Sequence, residues 1–321
     1  MGPRRILIIA NKNWEAVALM TVLLDSKACP PCFPWPIRFN HPLPPTSDWH
    51  HWHPRGVFRF ESLFQGVRRH VEVEVWCIQD AMNPAVSSSS TKEKIRILPK
   101  LFDGNSDERA MPDLVVAFGT AGFPGERSHN GCVVVGAHAF IHDPFRDGQS
   151  ANDHYWHHER TDCLLLPPML SVDLFNARQT VFGESLYSEV EARFIAPPMN
   201  PAADLALLAD GDYTAVGVVN ITNYDDYKWA DEKALRAFES ASLSPGENAR
   251  IGSLETTHGI IRLQSEAPFI FVSGITDRIG HFDTDVGSHP YAQNFACAHN
   301  AGVVTAWLIP RLVEFLVTRG S

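Results

Sequence analysis

The stretch Phe269-Ile-Phe-Val-Ser-Gly-Ile-Thr-Asp277 decides the fold class. An unbroken apolar run rich in β-formers reads as a buried strand, because strands of a parallel sheet are covered on both faces. The run ends in a polar tip carrying one acid. In open α/β sheets ligands sit just past the carboxyl ends of the strands, so Asp277 stands where chemistry is usually done. Two further segments share this design. One is Arg5-Ile-Leu-Ile-Ile-Ala10, followed by Glu15. The other is Asp113-Leu-Val-Val-Ala-Phe-Gly-Thr-Ala-Gly122.

Working outward, strand-like apolar runs recur at 5–10, 71–78, 113–118, 131–141, 214–221 and 269–276. Helical patterns fall at 14–24, 170–181, 201–209, 230–241 and 291–317. This alternation predicts an α/β layered fold with a mainly parallel sheet. Neither an internal repeat nor a linker is visible, so residues 1–321 read as one domain. Three segments break the pattern. Residues 28–56 are dense in proline, tryptophan and histidine and read as a long irregular insertion, suited to a lid, a binding loop or a subunit contact. Ala85 to Lys94, with four consecutive serines, reads as a mobile polar loop. Phe145 to Asp162 is rich in Asp, His and Arg and reads as a loop.

The chain has 321 residues, 45% apolar and 20% charged, enough to bury a sizeable core. A formal charge of −10, with no Lys/Arg run longer than two, argues against a non-specific nucleic-acid binder. Six cysteines in this length make no disulfide framework and fit a reducing compartment. Cys77, Cys132 and Cys297 lie in apolar segments and read as core thiols. The apolar run after Arg4 and Arg5 is too short for a signal peptide. No apolar run approaches the roughly 18 residues of a membrane span. The expectation is a cytoplasmic protein without a membrane segment.

Several residues can carry chemistry, and each also has a plain structural reading. Gly119-Thr120-Ala121-Gly122 follows a strand; glycines there let the backbone approach a ligand, yet a tight turn has the same appearance. It is not a dinucleotide fingerprint, and no phosphate-binding GKS or GKT loop is present. Glu255, within Leu254-Glu-Thr-Thr-His258, stands at the start of a predicted helix, where a first-turn acid is favourable anyway. Glu15 has the same plain reading, and Asp277 can simply cap a turn. Histidine clusters suggest metal: His50/His51/His53, His138/His142/Asp143, His154/His157/His158 and His281/Asp283/Asp285. None has a spacing with a defined mechanism, and Cys29-Pro-Pro-Cys32 has no second pair, so no metal is expected.

Three separated segments together resemble the nucleoside phosphorylase/nucleosidase superfamily, which contains purine nucleoside phosphorylase and methylthioadenosine/adenosylhomocysteine nucleosidase. Ile6-Leu-Ile-Ile-Ala-Asn-Lys-Asn-Trp-Glu15-Ala resembles the first strand and following acid of the nucleosidases. Leu114-Val-Val-Ala-Phe-Gly-Thr-Ala-Gly122, then Val133-Val-Val-Gly-Ala-His-Ala-Phe-Ile-His-Asp143, resembles the Gly-Ser/Thr-Ala-Gly turn, the next strand and a His-Asp beyond it. Ser253-Leu-Glu255 resembles the family's Met-Glu, and Ile275-Thr-Asp277 its Ser-Asp. Tyr291-Ala-Gln-Asn-Phe-Ala-Cys-Ala-His-Asn-Ala-Gly302 resembles the Ala-rich closing helix. Leu254 replaces the usual Met, and the insertions at 28–56 and 145–162 have no recognised counterpart.

The resemblance implies a three-layer α/β/α fold around a central mixed, mainly parallel sheet. It implies cleavage of the N-glycosidic bond of a purine (deoxy)nucleoside or a 5′-modified adenosine. Asp277 would be the general acid towards the leaving purine, Glu255 would hold the ribose hydroxyls and Glu15 would orient or deprotonate the attacking water. Gly119 to Gly122 would line the nucleophile pocket. Leu254 and Thr276 would flank substrate, and Asn223 and Tyr224 would contact the base. Phosphorylases of the family carry an Arg two residues before the glycine turn; here Ala117 stands there, and Glu15 would repel phosphate, so hydrolysis is preferred. The alternatives are a phosphate-dependent phosphorylase, with phosphate as co-substrate and Arg55, Arg146 or Arg278 reaching the pocket, and a non-catalytic nucleoside binder on the same fold. No cofactor is expected. A homo-oligomer acting on a small-molecule nucleoside is implied.

Overall fold

The computed structural model describes residues 4–26, 28–39, 53–103, 111–126, 129–143, 159–160, 207–219, 226–242, 250–286 and 290–318. The strands are β1 (Arg4–Ala10), β2 (Pro36–Phe39), β3 (Gly56–Phe64), β4 (Val67–Cys77), β5 (Leu114–Phe123), β6 (Val133–His142), β7 (Glu159–Arg160), β8 (Leu207–Val218), β9 (Arg250–Glu255) and β10 (Phe269–Arg278). The helices are α1 (Asn13–Leu23), α2 (Thr91–Phe102), α3 (Tyr227–Ser242), α4 (His258–Leu263), α5 (Phe282–Asp285) and α6 (Pro290–Thr318), with a 3-10 turn over Ile78–Ala81.

One mixed sheet runs β10-β6-β8-β9-β5-β1-β4-β3-β2, with β7 added beside β6. β10 also pairs with β5, so β5, β9, β8, β6 and β10 close into a ring, from which β1, β4, β3 and β2 extend. Parallel pairings join β1 to β4 and β5, β10 to β5, and β8 to β6 and β9. Antiparallel pairings join β10–β6, β2–β3, β3–β4, β5–β9 and β6–β7. The sheet is therefore evenly mixed among the described residues rather than mainly parallel. The hairpin of β3 and β4, which needs only the two residues Gln65 and Gly66 at its tip, supplies part of the difference. Gln65 and Gly66 take positive φ of 49° and 77°, the left-handed geometry a two-residue hairpin requires.

The period of two in the strands explains the two main cores. Ile6, Ile8 and Ala10 of β1 face one way, with Val116, Val272, Leu19 of α1 and Leu308 of α6. Leu7 and Ile9 face the other way, with Val115, Phe271, Leu98 of α2 and Ile260 of α4. Burial on both faces accounts for the continuous apolar runs of β1, β5 and β10. Cys77, Cys132 and Cys297 are buried in these layers.

Within α6, Asn294–Thr318 is long and apolar enough to cross a membrane by length and composition, which corrects the expectation that no such stretch exists. Its most apolar window is 67% buried within the fold, and the helix packs on α1 and β10, which accounts for that composition. Phe58-Arg-Phe-Glu61 of β3 alternates between buried and exposed, and its edge partner β2 lies within the proposed insertion. Ala85 to Ser90 forms turns that lead into α2, Thr91 to Lys94 already belong to that helix, and Ser89 and Lys94 are buried, so the stretch is not a polar loop throughout. Most of 40–52, 144–158 and 161–206 lies outside the described residues. So do the helix expected at 170–181 and the start of that expected at 201–209; residues 207–209 belong to β8.

Candidate active site

The ends of β1, β5, β9 and β10 converge on a cavity of about 390 Å³. One row of the sheet explains why. Gly122 of β5 pairs with Asp277 of β10 on one side and Leu254 of β9 on the other. Leu254, Glu255, Thr276, Asp277, Thr120, Ala121, Gly122 and Glu15 all line the cavity. Asn223 and Tyr224 lie outside the described residues.

Asp277 is aimed by an irregularity. The register of β10 against β5 slips between Ile275 and Asp277, leaving Thr276 as an extra residue, and such a bulge redirects the following side chain. The Thr276 hydroxyl contacts both Asp277 Oδ1 at 2.5 Å and the Ala121 carbonyl at 3.3 Å. A Cβ on Gly122 would meet Asp277 Oδ2 at 3.0 Å. Burial pushes the Asp277 carboxyl up to about 7; the Thr276 hydroxyl opposes this, and the charges of Asp231 and Asp285 add to it. Asp277 is therefore protonated in a substantial fraction of molecules near neutral pH.

Glu15 is held in the opposite manner. Its Oε2 accepts from the backbone N–H groups of Asn11 (3.2 Å) and Lys12 (2.8 Å). Its Oε1 accepts from the Thr120 N–H (3.0 Å) and hydroxyl (3.1 Å). The first pair is the first-turn capping arrangement the plain reading expects; the second ties α1 to β5 across the cavity wall. Burial raises the Glu15 pKa, against the Lys12 and Thr120 backbone donors and the Lys12 charge, which lower it.

Gly119 is required for a different reason from the one its sequence suggests. A Cβ there would meet Glu15 Oε1 at 2.9 Å and His258 Nε2 at 3.3 Å. The glycines at 119 and 122 make room for acids of the protein itself, and β5 continues through them to Phe123 instead of ending in a turn.

Glu255 ends β9, two residues before α4 begins. Its carboxylate accepts from the backbone N–H groups of Thr257 and His258, the latter at 2.6 Å. Burial raises its pKa, and the Lys94 charge and these donors lower it. The buried His258 imidazole is pushed down to about 4 by burial, so it stays neutral.

Sequence reasoning missed several residues. Trp14, Ser87, Ser88, Ser89, Asp231, His258 and Asn294 line the cavity. Lys94, wholly buried on α2, reaches the loop after Glu255. The serine run was the one local signal, since its polarity suits a cavity wall as well as a solvated loop. Lys12 is the one Lys or Arg lining the cavity among the described residues, and its ammonium contacts the Ser88 hydroxyl. The arginines considered as phosphate ligands are otherwise engaged. Arg55 meets Asp80 at 2.6 and 2.7 Å and Asn13 Oδ1 at 2.6 Å. Arg278 meets Asp285 at 2.8 and 3.0 Å. Arg146 lies outside the described residues. Among the described residues, no cluster of His, Cys, Asp and Glu is disposed to hold a metal ion.

No protein-family model matches the chain, and no curated protein matches it. Solved structures with a similar chain path include 5′-methylthioadenosine/S-adenosylhomocysteine nucleosidase from Neisseria meningitidis in complex with methylthio-immucillin-A (13% identity, covering 95% of this chain and 98% of that one, TM-score 0.47). The corresponding Colwellia psychrerythraea 34H structure, in complex with adenine, has 15% identity, coverage of 97% and 96%, and TM-score 0.46. Futalosine hydrolase of Helicobacter pylori strain 26695 has 8% identity, coverage of 96% and 97%, and TM-score 0.46. All three scores fall below 0.5, so the chemistry has to be argued from the residues of the site itself.

Proposed function

We propose that this protein hydrolyses the N-glycosidic bond of a purine nucleoside or 5′-modified adenosine. The observation that carries the reading is Asp277: a buried carboxyl raised far enough to hold a transferable proton near neutral pH in a substantial fraction of molecules, in the same cavity as two further buried carboxyls, Glu15 and Glu255. A purine leaves poorly as an anion, so the reaction needs an acid on the base and stabilisation of the sugar cation. Asp277 donates its proton to the purine imidazole nitrogen. Glu255 accepts from the ribose hydroxyls, and its negative charge favours the cationic sugar. Glu15, held by four donors, orients the water on the opposite face with the Thr120 hydroxyl. Thr120, Ala121 and Gly122 line that pocket, with Gly119 behind Glu15 and outside the lining, and Leu254 and Thr276 flank the substrate. Asn223 and Tyr224 stay assigned to the base on the resemblance alone.

Phosphate-dependent cleavage is the second reading, favoured by Lys12 at the cavity wall. The engagement of Arg55 and Arg278 by aspartates supports water instead, since phosphate is usually held by more than one cation. The deciding experiment is purine release from adenosine and inosine nucleosides varied at the 5′ position, each with and without phosphate. Phosphate-independent release is expected. A strict phosphate requirement overturns hydrolysis, and no release from any of them removes the reading.

A further inference from the structure

Lys94 has no part in the chemistry so far, yet its burial needs an explanation. A wholly buried ammonium is costly unless its protons and its charge are met. All three protons are met by one short segment. Lys94 Nζ donates to the Thr256 carbonyl (2.8 Å), the Thr256 hydroxyl (3.0 Å) and the Thr257 hydroxyl (2.8 Å). These two threonines join Glu255 at the end of β9 to His258 at the start of α4. The same turn presents the Thr257 and His258 N–H groups to the Glu255 carboxylate.

Local structure could have been satisfied without a cation, because Thr256 and Thr257 can find neutral donors. What a cation adds is charge. The charged and titratable groups that act on Lys94 are Glu255 of β9, Glu15 of α1, Lys12 in the segment after β1 and His258 of α4. Glu255 and Glu15 attract it, Lys12 repels it, and His258 is neutral at physiological pH. Lys94 lies outside the cavity lining, so it does not meet substrate.

We propose that Lys94 is a positioning residue for Glu255: it fixes the β9–α4 turn and brings beside it a buried cationic group that favours the carboxylate form of Glu255, the form able to accept from the ribose hydroxyls. The ribose part rests on the nucleosidase reading; the charge coupling does not. Desolvation acts upward on Glu255 and downward on Lys94, and their mutual attraction offsets part of each, leaving Glu255 raised and Lys94 lowered, so removing either takes away what compensation the other has.

The test is Lys94→Met, with Lys94→Gln as a second variant that retains hydrogen-bonding capacity if the first does not fold. Side-chain carboxyl NMR, with the Glu255 signal assigned through Glu255→Gln, reads the coupling without any substrate. The Glu255 midpoint is expected to rise by about one pH unit or more in either variant, and an unchanged midpoint overturns the proposal. For activity, kcat/KM for a ribonucleoside is expected to fall about tenfold to a hundredfold, the loss for leaving a buried charge without its partner. The matching 2′-deoxynucleoside, with fewer hydroxyls on Glu255, should lose several-fold less. Equal losses on the two substrates mean a merely structural lysine and overturn the proposal. Absence of purine release from the unmodified protein refutes the nucleosidase reading and the ribose part with it, and the titration still decides the coupling.

Discussion

Two buried carboxyls in the same cavity are given very different sets of donors. Glu15 receives four hydrogen bonds, three from the backbone N–H groups of Asn11, Lys12 and Thr120 and one from the Thr120 hydroxyl. Asp277 accepts from the Thr276 hydroxyl and otherwise faces Gly122, with Asp231 and Asp285 adding negative charge nearby. Donors stabilise the anion and burial stabilises the acid; burial raises both carboxyls, and it is opposed by four donors at Glu15 but by a single hydroxyl at Asp277. The difference comes from backbone placement. Glu15 sits where the N-terminus of α1 offers unpaired N–H groups, whereas Asp277 sits on a bulge of a strand whose own N–H groups are largely engaged in the sheet.

The strongest way to break this contrast is to remove the acid. Asp277→Asn keeps size and polarity but holds no transferable proton. Purine release is expected to fall about 10²- to 10⁴-fold while affinity for nucleoside, measured by calorimetry, stays within a few-fold. Glu15→Gln attacks the other side. A carboxamide directs N–H towards donors that expect an acceptor, so unfolding free energy in denaturant should fall by about 1–3 kcal/mol as well as activity.

A pH experiment sharpens the contrast further. Asp277 has an ordinary value of 3.8 and is raised to about 7 in the folded protein. The stability it contributes is complete below the ordinary value and is lost as pH rises through the folded one. Thermal stability of the native chain should therefore decline relative to Asp277→Asn between about pH 4 and 7, and purine release should fall above about pH 7. The smallest expected effect is Thr276→Val. It removes the hydroxyl that pulls Asp277 down, so the alkaline limb of the activity profile should move upward by less than about one unit.

How much of this was legible in the sequence follows from what each residue's signal depends on. Strands β1, β5 and β10 were readable because burial on both faces writes a continuous apolar run, and their polar ends marked Glu15 and Asp277. The ring closure was not readable: it hangs on Gly122 pairing with both Leu254 and Asp277, and a pairing partner leaves no local trace. Lys94 was invisible for a similar reason. Thr91-Lys-Glu-Lys94 reads as the end of a polar loop, and which face of α2 is covered depends on where α4 packs. Gly119 and Gly122 were noticed, but the room they leave for Glu15 and Asp277 was not, since it appears only when three strands are assembled.

The most direct test of the general-acid claim compares leaving groups. Asp277→Asn is assayed on a purine nucleoside and on a p-nitrophenyl riboside, whose leaving group departs as an anion without protonation. If Asp277 protonates the base, the variant loses orders of magnitude on the purine nucleoside and little on the p-nitrophenyl riboside. Equal losses on both substrates would contradict the account, because they would mean that Asp277 acts on the sugar or on the fold and not on the leaving purine.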